Sequence, residues 1–174
     1  DLDRARVAAL NVLEDAMLAR RAAEAAHAGL RVSEERYRLF IENSLDAFLL
    51  TSPDGRIHSA NPAACRMFGR SEEEIRALGR PAIVDTSDPR LPKALEERAR
   101  TGRFSGELTG RRADGEPFPI HVSTSLFTDA AGETHTAMVI HDLSEQHRAA
   151  AALRASEQRY RDLVETTHDL IWTT

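Results

Sequence analysis

The sequence predicts an α+β fold: a five-stranded antiparallel sheet with short helices on one face, flanked by long N- and C-terminal coiled-coil helices. Three observations lead there. Turn chemistry is confined to the middle of the chain, with all seven prolines between Pro53 and Pro119 and eight of nine glycines between Gly55 and Gly132, so the flanks carry almost no breakers. Within that middle, Phe118, Ile120, Val122, Thr124 and Leu126 alternate with Pro119, His121, Ser123 and Ser125, the two-residue period of a half-buried antiparallel strand. The third observation is a repeat. LRVSEERYRLFIENSLDAFLLT at Leu30–Thr51 returns as LRASEQRYRDLVETTHDLIWTT at Leu153–Thr174, keeping Leu30, Arg31, Ser33, Glu34, Arg36, Tyr37, Arg38, Glu42, Asp46 and Thr51. Repetition at about one domain length implies one complete unit and the beginning of a second.

Residues 1–41 are rich in the strong helix formers Ala, Leu, Arg and Glu. A seam of three- and four-residue steps runs through Leu13, Ala16, Arg20, Ala23, His27, Leu30, Glu34, Tyr37 and Ile41. It suits an intermolecular coiled coil, made marginal and tunable by the polar residues at every second position from Arg20 to Glu34. A helix packed on its own domain and a solvated linker are the competing readings. Next come a short apolar run, Ala47–Thr51, and a second extended piece, Arg56–Asn61. Pro53-Asp54-Gly55 between them is a hairpin signal, because proline presets φ and glycine accepts positive φ.

Asn61-Pro62 reads as an N-cap and first helical residue for a helix over Ala63–Phe68 that Gly69 ends. Ser71 and Glu74 have capping-box spacing for a helix over Glu72–Leu78. Gly79–Pro92 reads as irregular, and Lys93–Arg100 as helical until Thr101-Gly102. Three strands follow, Phe104–Arg111, Phe118–Phe127 and Thr134–Ile140, joined by turns at Ala113–Glu116 and Asp129–Gly132. Asp142 and Glu145 are again spaced as a capping box, for a helix running from Ser144 to about Val164.

The length of 174 residues suits one domain with extensions. A net charge of -5 argues against a nucleic-acid partner, which would favour a basic face. No apolar run approaches the roughly 20 residues that span a bilayer, and no signal peptide is expected. The one cysteine, Cys65, excludes an intramolecular disulfide and fits a reducing cytoplasm, the expected location.

Taken in order, these elements resemble a PAS domain over about Glu42–Ser144. The residues that carry the resemblance are Pro53-Asp54-Gly55 with Ile57, Asn61-Pro62-Ala63-Ala64, Phe68-Gly69, Arg112–Pro119, and the closing Ile140-His141-Asp142-Leu143-Ser144-Glu145. The last is similar to the family's Asp-Ile-Thr-Glu signature, with conservative changes. The flanks, with SEERYR and SEQRYR, resemble the signalling helices that join PAS domains in bacterial sensor kinases and cyclic-dinucleotide enzymes. The resemblance implies residues 1–41 as an N-terminal signalling helix, 42–144 as the PAS domain, 145–166 as a C-terminal signalling helix, and 167–174 as the start of a second PAS domain.

Cofactor chemistry in this family needs its ligands in place. A light-oxygen-voltage flavin sensor needs a cysteine after the second short helix, and Ala77–Ile83 holds none; Cys65, one helix earlier, reads as a small core residue rather than a reactive thiol. An oxygen-binding haem sensor needs a histidine in the longer helix, and Arg90–Arg100 holds none. The cofactor stays unassigned. His135 and His141 share a strand face, which His121 could share from the neighbouring strand; their separation along the strand, roughly 20 Å at the usual rise, is too large for joint metal coordination, and no metal site is expected. His27 and His147 open no His-Glu-x-x-x-Pro phosphoacceptor pattern.

A small cavity is expected between the sheet and the short helices, lined by Ile57, Phe68, Ile120 and Val122. Ser59 and Thr124 would orient a small ligand there, or serve as ordinary core hydroxyls. Signal coupling is expected at Asp142, Leu143, Ser144 and Glu145. Leu13, Ala16, Ala23, Leu30, Tyr37, Leu153 and Tyr160 are the expected contacts of a homodimer. The expected function is a non-catalytic module that relays a signal to an output domain, foremost a histidine kinase. A ligand-free dimerisation spacer and a regulatory module of a cyclic-dinucleotide enzyme are the alternatives.

Overall fold

The computed structural model describes the backbone of residues 2–171 and the side chains of residues 16–161. The chain divides into two units, Asp1–Asn43 and Ser44–Thr174. The first is one helix, α1 (Leu2–Glu42), and every side chain described in it is exposed. Helices draw most of their stability from packing an apolar face. This one leaves Leu30, Tyr37, Phe40 and Ile41 in solvent.

The second unit contains β1 (Ala47–Thr51), β2 (Ile57–Ala60), α2 (Pro62–Phe68), α3 (Glu72–Leu78), α4 (Leu91–Thr101), β3 (Arg103–Arg111), β4 (Pro117–Thr128), β5 (Thr134–Asp142) and α5 (Ser144–Ile171). All strand pairs are antiparallel and the order is β2-β1-β5-β4-β3. Gly79–Pro92, expected to be irregular, holds one 3-10 turn, Arg80–Ala82, and the first two residues of α4, which begins at Leu91 rather than Lys93. Helix α5 extends beyond the expected end near Val164, to Ile171; Trp172–Thr174 lie outside the described residues.

One sheet face is apolar and carries the helices. Phe68, Ile75, Ile83, Ile120 and Ile140 are essentially fully buried between the two layers, each contributing about 1.5–3 kcal/mol relative to exposure. Gly110 leaves room for the side chains of its neighbour β4 in the same sheet: a Cβ there would stand 2.9 Å from Ile120 Cγ2 and from two ring atoms of Phe118. Two of the expected caps are present. Asn61 Oδ1 accepts from Ala64 N at 3.0 Å, and Ser71 with Glu74 closes a capping box. Gly69 ends α2 at φ 66°, a conformation that costs glycine little.

Candidate functional site

Asn61 ties the helical layer to the sheet. Besides capping α2, its Oδ1 accepts from Phe48 N at 3.0 Å, and its Nδ2 donates to Asp46 O at 2.9 Å. Next to it, β2 is bulged. Thr51 pairs with Ile57 but Leu50 with Ser59, leaving His58 as the extra residue. Directly paired residues share a sheet face, so Ile57 and Ala60 point inward while Ser59 follows Leu50 outward. Ser59 is exposed, which corrects the expectation that it faces the cavity.

The cavity lies between α4 and the sheet. Its polar lining is Arg80, Arg98 and Thr124; among its apolar walls are Leu91, Leu95, Phe104, Leu108, Val122 and Met138. Its volume is about 30 Å³, space for about two water molecules. Of the expected lining residues, Val122 and Thr124 are on its wall; Ile57, Phe68 and Ile120 are buried in the core and do not line it. Arg98 is only 7% exposed, and its Nη2 donates to the Pro53 carbonyl at 2.9 Å; Arg80 Nη2 reaches the same oxygen at 3.3 Å. Burial, together with the charge of Arg80, pulls the Arg98 guanidinium below its usual range. The sequence held a sign of this residue. Leu91, Ala94 and Arg98 form the buried stripe of α4, so an arginine continues an apolar face.

The exit joint is built around Arg112. Its Nη1 donates to the Met67 carbonyl at the end of α2, and its guanidinium carbon lies 3.8 Å from the centre of the Phe118 ring. Its Nη2 meets Asp142 Oδ2 at 2.7 Å. Asp142 Oδ1 accepts from Ser144 N, also at 2.7 Å, at the first residue of α5. Leu143 N donates to the Pro119 carbonyl at 3.0 Å, pinning the joint to β4. Burial alone would raise the Asp142 pKa, but the bonds from Ser144 and Arg112 outweigh it and hold it below its ordinary value. Asp142 thus caps α5 through Ser144 N, two residues on, in place of the capping box expected with Glu145, which is exposed.

The outer sheet face carries four histidines in two pairs. His121 and His141 are direct cross-strand partners with ring centres 6.4 Å apart, and His58 and His135 lie 5.6 Å apart. The separation of His135 from His141 along β5 therefore did not describe His121, which strand pairing brings beside His141. His141 Nδ1 is 2.7 Å from Asp46 Oδ1, and His135 Nε2 is 2.9 Å from Asp129 Oδ2. No group of three or more metal-binding side chains is brought together among the described residues. Cys65 is partly buried; burial, then Glu72, pushes its thiol pKa up, away from thiolate reactivity.

A third network lies on Asp88, a residue sequence reasoning passed over in an irregular stretch. Its carboxylate is buried and accepts from Arg90 N, Arg90 Nε and Arg90 Nη2, and from Thr109 N at 2.7 Å. Beside it, hydrogen bonds from Arg111 and then Ser87 hold Asp85 down to about 2. Asx turns around aspartate are the sequence signal that could have pointed here.

The order of strands and helices, the cavity under α4 and the aspartate-capped exit helix are accompanied by a match of the PAS fold family profile to residues 35–143. The chain belongs to the PAS-fold family. Its PAS domain is similar to part of Sporulation kinase E of Bacillus subtilis (strain 168), with 29% identity over 140 residues, 79% of this chain and 18% of that protein. It is similar to Sensor histidine kinase TmoS of Ectopseudomonas mendocina, with 26% identity over 133 residues, 74% of this chain and 14% of that protein. The chain thus spans less than a fifth of either relative. Among solved structures, a PAS domain from a two-component sensor histidine kinase superposes with TM-score 0.56 at 17% identity, covering 64% of this chain and 97% of that one.

The residues of the expected dimer seam are distributed over both long helices. Ala16, Ala23, Leu30 and Tyr37 are exposed on α1, and Leu153 and Tyr160 on α5, while the side chain of Leu13 lies outside the described residues. No described helix is long and apolar enough to cross a membrane.

Proposed function

We propose that this PAS domain is a non-catalytic signal-transmitting module of a cytoplasmic sensor histidine kinase. It dimerises through its flanking helices and passes a change in the sheet into α5, towards a second PAS unit that begins near residue 167 and an output domain beyond it. One observation carries the reading: a single carboxylate, Asp142, caps the first turn of α5 and is bonded to Arg112, which also holds the end of α2 and the Phe118 ring. A shift of α2 or β4 therefore bears on how α5 starts. The exposed apolar residues of both flanking helices support association with a second copy.

The test is Asp142→Ala in the full-length parent. Kinase output is expected to change its basal level or its response while the dimer persists in sedimentation; unchanged output and response would leave Asp142 as a cap only. The small volume of the cavity favours a second reading, a ligand-free dimerisation spacer. In that case no small molecule raises the thermal midpoint, because only binding to the folded state does so.

A further inference from the structure

We propose that His58 and His135, on the outer face of the sheet, form a labile site for a divalent transition-metal ion of the zinc and copper kind, with Asp129 bonded behind one of the two ligands. The inference goes beyond the signalling reading above and does not depend on it. β2 and β5 are not neighbours: β1 lies between them, so their backbones are two strand spacings apart, about 10 Å. The two imidazoles nevertheless meet, with ring centres 5.6 Å apart and planes at 78°. His58 is the extra residue of the β2 bulge, a device that re-aims one side chain out of the strand's alternation. Two imidazoles sharing one ion at the usual metal–nitrogen distance of about 2.0–2.1 Å have ring centres roughly 5 Å apart. A small side-chain adjustment therefore closes the pair on an ion.

The hydrogen bonds decide which nitrogens are free. His135 Nε2 donates to Asp129 Oδ2 at 2.9 Å, which places the proton of a neutral His135 on Nε2 and leaves Nδ1 as a lone pair. That Nδ1 is buried and, among the described residues, has no hydrogen-bond partner. Native proteins seldom strand such an atom. Protonation would only exchange a stranded lone pair for a stranded N–H, whereas a metal ion satisfies it. His58 Nε2 is taken by Ser52 Oγ at 2.5 Å, so Nδ1 is the nitrogen His58 has to offer. A ligand histidine whose other ring nitrogen bonds a carboxylate is the usual arrangement around zinc. The second histidine pair lacks these features: the rings of His121 and His141 are 6.4 Å apart, and neither has a buried nitrogen without a partner. With two protein ligands, water completes the shell. Half the binding free energy of a four-ligand zinc site corresponds to a Kd of roughly 1–200 µM. Imidazole nitrogens suit zinc and copper and not magnesium.

The experiment is calorimetric titration of the intact, untagged and chelator-stripped chain with copper, zinc and magnesium chlorides at neutral pH. Copper is expected to bind more tightly than zinc, and magnesium not at all. Free zinc at about a hundredfold over its Kd should raise the thermal midpoint by about 5 °C or more. His58→Gln and His135→Gln should each weaken binding about tenfold or more, and His121→Gln and His141→Gln should leave it unchanged. Asp129→Asn keeps an acceptor for Ala131 N and Glu133 N and should weaken binding about tenfold. Pulsed electron paramagnetic resonance of the one-to-one copper complex should show two imidazoles, and the same two in His121→Gln, a result that does not require the His58 or His135 variants to fold. No copper or zinc binding tighter than about 1 mM overturns the proposal. One imidazole or none in the copper complex overturns the shared site, whatever the affinity. Binding that survives His58→Gln and His135→Gln but falls with His121→Gln or His141→Gln puts the ion on the other pair and overturns the assignment.

Discussion

Replacing Asp142 by alanine removes two bonds whose sizes follow from their surroundings. The cap on Ser144 N, at 2.7 Å, contributes about 0.5–2 kcal/mol. The bond to Arg112 joins side chains that are each 29% exposed, so water screens it to about 0.2–1 kcal/mol. Arg112 keeps the Met67 carbonyl and the Phe118 ring, so no charge is stranded. The expected loss is about 1–3 kcal/mol, against a stability of about 5–15 kcal/mol for an ordinary domain. The domain should stay folded.

Urea unfolding reads this loss as a lower midpoint at unchanged slope. Asp142→Asn, which retains an acceptor for Ser144 but not the charge, should lose less than half as much. A double-mutant cycle with Arg112→Ala should return a coupling of about 0.2–1 kcal/mol. Equal losses for the alanine and asparagine variants would refute the cap as the larger contribution. Unfolding of the alanine variant would refute the claim that the joint is separable from the core.

Gly110→Ala should destabilise the domain by about 1–3 kcal/mol, because its Cβ meets Phe118 and Ile120 at 2.9 Å; thermal denaturation reads it. Asp88→Ala strands Thr109 N, takes the acceptor from Arg90 N, Nε and Nη2, and should cost about 2–4 kcal/mol in the same assay. Asp85, Asp88 and Asp142 all have depressed pKa values. The stability they contribute is therefore present above the unfolded aspartate value near 4, and is lost as pH falls from there through about 2 and below. An acid titration of the unfolding midpoint should decline in that window, and less steeply for Asp88→Ala. Deleting Asp1–Ala28 should weaken self-association in sedimentation equilibrium; unchanged affinity would place the main interface elsewhere.

The elements were legible because local chemistry decides them. Asn61-Pro62, Ser71 with Glu74 and Gly69 act within a few residues, and the alternation from Phe118 to Leu126 needs only a strand with one buried face. Whatever depended on pairing register was not legible. Ser59 shares strand parity with Ile57, and only the bulge at His58 turns it outward. His121 and His141 become neighbours through the β4–β5 register, which their sequence positions do not fix. Arg98 escaped for a different reason. Its burial follows from its place on the inward stripe of α4 with Leu91 and Ala94, which overrides the usual preference of arginine for solvent.

The most direct test of transmission is the distance between spin labels at Ala152, an exposed position on α5, in a Cys65→Ala background. If α5 pairs with its counterpart in a dimer, with helix axes about 8–10 Å apart, double electron–electron resonance should give one narrow distribution. Asp142→Ala should shift or broaden it while the dimer persists. An absence of any inter-copy distance, or a distribution indifferent to Asp142, would contradict a signal carried from the sheet into a paired helix.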